Sequence, residues 1–219
     1  MKILCTHNDG GVGKTTLAVH AVGALSSQIG RILLIDCDDQ TDSWQFYVDR
    51  IPEKGKPDFQ SAGKYDEISV AYNPDRESIK KMTKPEQYNH IVLDIDSPLA
   101  NTVQVILQDN PNLILVPVNL SQRAKALRNL PRTLQVIANM ESNMGFTPIV
   151  KIVPLGVERE RLLQVVEKAE NKPRKCSVAE EMSNLQDEMQ KAIYEDRKYI
   201  WNYNGYEYLK DYFNKLLGI

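Results

Sequence analysis

Short apolar runs alternate along this chain with longer stretches of helical period. The runs are Ile3 to Cys5, Ile32 to Ile35, Ile68 to Ala71, Ile91 to Ile95, Leu113 to Val118 and Ile149 to Val153. None alternates with polar residues, which suits strands buried on both faces of a parallel sheet covered by helices. Between the first two runs, Leu17, Ala18, Ala21, Val22, Leu25 and Ile29 share one helical face, and Gly30 stands where a C-terminal cap is expected. This reads as a βαβ unit. The stretch from Pro52 to Gly63 is poor in apolar residues and reads as an exposed loop. From Val178 onward the pattern is helical and rich in tyrosine. The expected fold is α/β: a doubly wound, mainly parallel sheet with helices on both faces, in a single domain over residues 1–219.

Composition narrows the class without naming a function. Of 219 residues, 42% are hydrophobic and 26% charged, ordinary for a globular protein and against disorder or a fibrous repeat. The formal charge of −2 means that nucleic acid could be met only through a local basic patch. Cys5, Cys37 and Cys176 lack the spacing of a zinc site or a disulfide framework. With the apolar run after Met1 too short for a signal peptide or a membrane span, a cytoplasmic location is expected.

The strongest chemistry lies in Gly10-Gly11-Val12-Gly13-Lys14-Thr15-Thr16, between an expected strand and an amphipathic helix. Glycines let the backbone turn tightly and aim successive N–H groups inward, and the helix start adds its positive dipole end. Lys14 is expected on the β and γ phosphates of a nucleotide, and the Thr15 hydroxyl on a magnesium ion. The strict phosphate-loop pattern fails at Asn8. What remains resembles the deviant Walker A motif of the ParA/MinD family, except that Asp9 stands where that family has its signature lysine. Two further segments extend the resemblance. Leu33-Leu34-Ile35-Asp36-Cys37-Asp38-Asp39-Gln40 is similar to the family's switch I, and Ile91-Val92-Leu93-Asp94-Ile95-Asp96-Ser97-Pro98 to its Walker B strand. By that resemblance Asp38 positions the attacking water, Asp36 lies near the magnesium shell and Asp94 holds a magnesium-bound water. Asp96 either adds charge near the metal or caps the next helix.

The resemblance implies an ATPase using ATP and Mg2+, an ATP-dependent homodimer that sandwiches nucleotide, non-specific nucleoid DNA as a ligand, and an adaptor protein that stimulates hydrolysis. Loss of the signature lysine resembles the carboxysome-distribution, McdA-type members, which tilts the expectation towards positioning a protein cargo. An acid at position 9 leaves the family's bridging cation to be replaced, and Lys151, in an apolar strand, either does this or pairs with a local carboxylate. For DNA, Lys125, Arg128 and Arg132 fall on one helical face opposite Leu127, Leu130, Leu134 and Ile137; Lys168, Lys172, Arg174 and Lys175 form a second cluster. Either cluster reads equally as solvated surface. The alternatives are a plasmid or chromosome partition ParA, a MinD-like membrane positioner using the face Tyr208, Leu209, Tyr212, Phe213, Leu216 and Leu217, and a ligase resembling dethiobiotin synthetase. A docking helix packed on the sheet is preferred to a membrane-binding one.

Overall fold

The computed structural model describes residues 1–62 and 65–219. The elements run β1 (Lys2–Cys5), α1 (Lys14–Leu25), β2 (Ile32–Cys37), α2 (Asp42–Tyr47), β3 (Asp58–Ala62), β4 (Tyr65–Tyr72), α3 (Ile79–Met82), β5 (His90–Ile95) and α4 (Leu99–Asp109). They continue with β6 (Leu113–Asn119), α5 (Arg123–Met144), β7 (Ile149–Leu155), α6 (Arg159–Lys168), β8 (Lys175–Val178), α7 (Gln186–Gln190) and α8 (Leu209–Leu217). Among the described residues the strands form one sheet in the order β3-β4-β2-β5-β1-β6-β7-β8, parallel throughout except for the antiparallel β3–β4 pair.

Alternate residues of each buried strand feed two different cores, which is why the runs are apolar without interruption. Ile3, Cys5, Ile32, Leu34 and Val92 face a cluster built with α1, α2 and α8. Leu4, Leu33, Ile35, Leu93 and Ile114 face the other, built with α4, α5 and α6. The sheet is therefore covered on both sides, as the pattern predicts.

Three expectations are corrected. The segment expected to be a loop contains β3, whose alternation of half-exposed and exposed residues marks an edge strand with little apolar signal; its Gly63 lies outside the described residues. Helix α1 ends at Leu25 with Ser26 as its cap, so Gly30 belongs to the following turn and Ile29 is fully exposed. The tail is less helical than its pattern suggests. It opens with β8, pairs Met182 with Leu155 in an isolated bridge, and passes through a π-helical turn at Lys191–Glu195 before α8.

Aromatic residues of that tail pack on α1. His20 stacks on Phe213 at 5.1 Å between ring centroids and meets Trp201 edge-on at 5.3 Å. Its Nδ1 lies 2.8 Å from the Thr16 carbonyl, and its Nε2 accepts the Ile200 N–H at 3.1 Å. Gly23 leaves room for the Tyr199 ring, which a Cβ would meet at 2.4 Å. Leu209, Phe213, Leu216 and Leu217 are buried in this cluster, so the apolar face of α8 is a packing face. No described helix is long and apolar enough to cross a membrane.

Burial pushes the His20 imidazole down to about 4. The folded chain thus refuses a proton that the unfolded chain accepts near its ordinary value of about 6.5. Stability should be unaffected by this group above pH 6.5 and fall as pH drops from there to about 4, by about 3 kcal/mol at 1.36 kcal/mol per pH unit. Urea denaturation across this window should show this contribution, and His20→Gln should reduce the slope while leaving the share of buried His7, which is also pushed down to about 4.

Candidate functional site

Parallel strands end on one side of the sheet, and their following loops share the crevice there. A cavity of about 420 Å³ opens at this edge, beside the ends of β1, β2, β5, β6 and β7. Its floor is the glycine loop, with Gly10, Gly11, Gly13, Lys14, Thr15 and Thr16 all lining it. Gly13 caps α1 with φ +105, and a Cβ there would meet Leu155 at 2.5 Å, so both backbone and space require glycine. Gly11 adopts φ +70, and its carbonyl accepts Asn119 Nδ2 at 2.6 Å, tying the loop to the end of β6.

Lys14 is buried, and its Nζ donates to the Asp9 carbonyl at 2.9 Å and to Ser97 Oγ at 3.3 Å. Burial pulls its ammonium below the usual lysine range, opposed by the carboxylates of Asp94, Asp38, Asp96 and Asp9. Asp38 lines the cavity, its Oδ1 accepting the Gln40 N–H at 2.9 Å. Asp96 lines it too, with Oδ1 bound by Arg76 and by Asn101 of α4. Asp96 therefore does reach into the first turn of the next helix, although the N-cap position itself is held by Pro98.

Asp94 sits at the end of β5, 1% exposed and outside the cavity lining. Burial, with Asp36 nearby, pushes its carboxyl well above the usual carboxylate range, while the Thr15 hydroxyl draws it back. Among the described residues, no donor reaches either of its oxygens at full hydrogen-bond geometry. A buried carboxylate left in this condition is costly unless a cation or a bound water completes it.

Asp36, Asp9, Val12 and Lys151, singled out by the motifs and the strand pattern, take the following places. Asp36 is fully buried and closes the turn into α2: its Oδ1 accepts the Asp38 N–H at 2.9 Å, and its Oδ2 accepts Ser43 Oγ and the Trp44 N–H, each at 2.8 Å. Burial raises it to about 7 against those three donors. The Asp9 side chain turns away from the cavity onto α5, where Asn129 Nδ2 donates to both carboxylate oxygens at 2.9 and 3.0 Å. Lys125 Nζ lies 3.3 Å from the same carboxylate, so this lysine is already paired. Val12 is wholly buried and contributes only its backbone to the loop. Lys151 lies four residues before the carboxyl end of β7, about 13 Å at the usual strand rise. Its Nζ donates to the Leu216 carbonyl at 2.6 Å, capping α8 beside a separate cavity of about 230 Å³. It is not at this chain's own phosphate loop, and among the described residues it pairs with no carboxylate.

Of the basic clusters, Arg128 and Arg132 project from α5 into solvent. Lys168, Lys172, Arg174 and Lys175 are exposed near the amino end of β8, away from the cavity; Lys172 donates to the Val166 carbonyl at 3.1 Å. The sequence does not announce Asn119, Ser121 or the wall formed by Met182–Gln190 with Tyr194. That wall carries no motif, because it is built from a turn, a short helix and a π-helical turn brought in by packing.

A profile of the CobQ/CobB/MinD/ParA nucleotide binding domain matches residues 3–186, most of the chain. The chain belongs to the CobQ/CobB/MinD/ParA family. No curated protein matches it with significance. Among solved structures, the ATP complex of a Cyanothece McdA variant is similar at TM-score 0.75 and 16% identity, over 100% of this chain and 96% of that one. A putative plasmid partition protein of Borrelia burgdorferi bound to AMPPNP follows at TM-score 0.65 and 15% identity, over 100% and 99%. The septum site-determining protein MinD of Pyrococcus horikoshii, complexed with Mg-ADP, aligns at TM-score 0.62 and 13% identity, over 98% and 95%. The ParA/MinD resemblance and the doubly wound fold are thereby shown.

Nucleotide and magnesium fit the residues present. The glycine amides and Lys14 offer a cradle for phosphate, and the orphaned Asp94 beside Thr15 fits the surroundings of a hydrated divalent ion. No group of three or more His, Cys, Asp and Glu stands at metal-binding distance among the described residues.

The Asp9 cluster carries a direct expectation. Asp9→Ala leaves the Asn129 amide and Lys125 without their partner, and should lower stability by about 1–3 kcal/mol in urea denaturation. Asp9→Lys, which restores the family's usual residue type, should lower it further, since it sets an ammonium beside Lys125 and the buried His7.

Proposed function

We propose that this chain is a Mg2+-dependent ATPase that positions cargo: an ATP-bound homodimer holds nucleoid DNA without sequence preference and is released when an adaptor stimulates hydrolysis. Carboxysomes or a similar protein assembly are the cargo this reading favours. The observation that carries it is the convergence of Lys14, Thr15 and Asp38 on one glycine-floored cavity, with the unsatisfied Asp94 behind them.

In this reading the glycine-loop amides and the α1 dipole hold the β and γ phosphates, and Lys14 supplies a fixed positive charge as charge develops on the transferred group. Thr15 would hold a magnesium ion and Asp94 would orient its water; the ion, when bound, would neutralise the polyphosphate. Asp38 orients the attacking water; its backbone N–H is itself held by Asp36, whose other oxygen holds the start of α2. Turnover is slow, because positioning and electrostatics act without an arginine finger among the described residues that line the cavity. Arg128 and Arg132 are the cations this reading assigns to DNA phosphate, together with Lys168, Lys172, Arg174 and Lys175 as a second group.

Nucleotide binding, turnover and DNA retention separate the parts. Lys14→Ala should abolish MgATP binding. Asp38→Ala should keep binding within about threefold while lowering turnover by about a hundredfold or more, the scale of losing a positioned general base or water-orienting group. Wild type with ATP should be retained on arbitrary duplex DNA at low salt and lost steeply as salt rises, whereas Arg128→Ala/Arg132→Ala should weaken retention and its salt slope. DNA retention equal with and without ATP would remove the positioning cycle from this reading.

A further inference from the structure

Asp96 faces the same cavity as Lys14, where an unpaired carboxylate would repel a polyphosphate. It is not unpaired. Its Oδ1 accepts Arg76 Nη2 at 2.7 Å, Arg76 Nε at 3.2 Å and Asn101 Nδ2 at 2.6 Å. Arg76 does not line the cavity, and the two side chains are only 16% and 23% exposed, so solvent screens this pair less than a surface ion pair.

The backbone around Arg76 is held with unusual thoroughness. Its φ is +54, a left-handed conformation that a long side chain seldom adopts. The Arg76 N–H donates to the Asn73 carbonyl at 3.1 Å, and the third guanidinium nitrogen, Nη1, donates to the Pro74 carbonyl at 2.9 Å. Gln104 Nε2, from α4, donates to the carbonyls of Asp75 and Arg76 at 3.0 and 3.2 Å. Buried Asn73 in turn donates its N–H to the Asp36 carbonyl at 2.8 Å, joining the turn to the strand that leads into the Asp38 segment. A strained residue fixed from so many sides points to a role for the side chain it presents.

We propose that Arg76 is a positioning residue for nucleotide binding: by holding and neutralising Asp96, it lets the segment after β5 line the phosphate cavity without repelling the triphosphate. The proposal rests on the MgATP reading above. Arg76 acts through Asp96 and does not itself touch the nucleotide. Its contribution is to affinity, and the dependence on Asp96 separates it from a merely structural arginine.

Binding of a fluorescent ATP analogue with magnesium, measured beside thermal melting of the nucleotide-free protein, tests this. Arg76→Ala should weaken binding by about tenfold, the scale of one uncompensated charge at partly screened distance. Adding Asp96→Asn to that variant should return affinity to within about threefold of wild type, and Asp96→Asn alone should bind at least as tightly as wild type. Three results would overturn the proposal: Arg76→Ala binding as wild type does, the double variant remaining as weak as Arg76→Ala, or Asp96→Asn alone losing about tenfold, which would assign its carboxylate to the metal. If Arg76→Ala does not fold, Arg76→Gln, alone and with Asp96→Asn, is measured in its place with the same outcomes. Wild type with no affinity for the analogue would overturn the ATPase reading and this proposal together, whereas the other failures leave the ATPase reading standing.

Discussion

A single buried ammonium among carboxylates governs the architecture of this site. Lys14 has lost most of its water, and Asp94, Asp38, Asp96 and Asp9 restore the preference for its charged form. Without the lysine these acids would crowd one edge of the sheet with mutual repulsion; without the acids burial would pull the ammonium further below the usual lysine range. Two of the acids have found other partners, Asp9 on α5 and Asp96 on Arg76. Asp38 remains facing the cavity and Asp94 remains unsatisfied behind it. Of the four acids, Asp38 and Asp94 are thus the two left without a cationic partner other than Lys14 among the described residues.

The position of Asp9 gives the family's usual loop a different support. Where a lysine would project outward, this chain turns an acid inward, and Asn129 and Lys125 hold it from α5. The phosphate loop is thus fastened on both sides: Asn119 at the end of β6 grips the Gly11 carbonyl, and α5 grips Asp9. The loop carbonyl that receives Lys14 belongs to this same residue. Charge at residue 9 serves the stiffness of the loop, on the side away from the phosphate cavity.

The sheet and the glycine cradle are legible in the sequence because both are written in local pattern. Uninterrupted apolar runs record burial on two faces, and glycines at 11 and 13 record backbone conformations that few other residues accept. Beyond local pattern, legibility fades. Edge strand β3 buries too little to leave an apolar trace, and the end of α1 at Leu25 is marked by no glycine. Partners far apart in the chain are invisible: nothing in the residues near Lys151 announces the Leu216 carbonyl, and nothing near Arg76 announces Asp96. Asp36 is legible only in part for the same reason: the motifs indicate its place beside Asp94, but nothing near it announces that Asp38, Ser43 and Trp44 claim both its oxygens.

One wall of the cavity comes from Met182–Gln190 and Tyr194, and that segment is moored by rings that pack on α1, through His20 and Ile200. A growing polypeptide therefore makes the glycine cradle well before the wall facing it. Until the second has docked, the first is an open groove, so a nascent chain on the ribosome carries the glycine loop well before it carries the enclosed cavity.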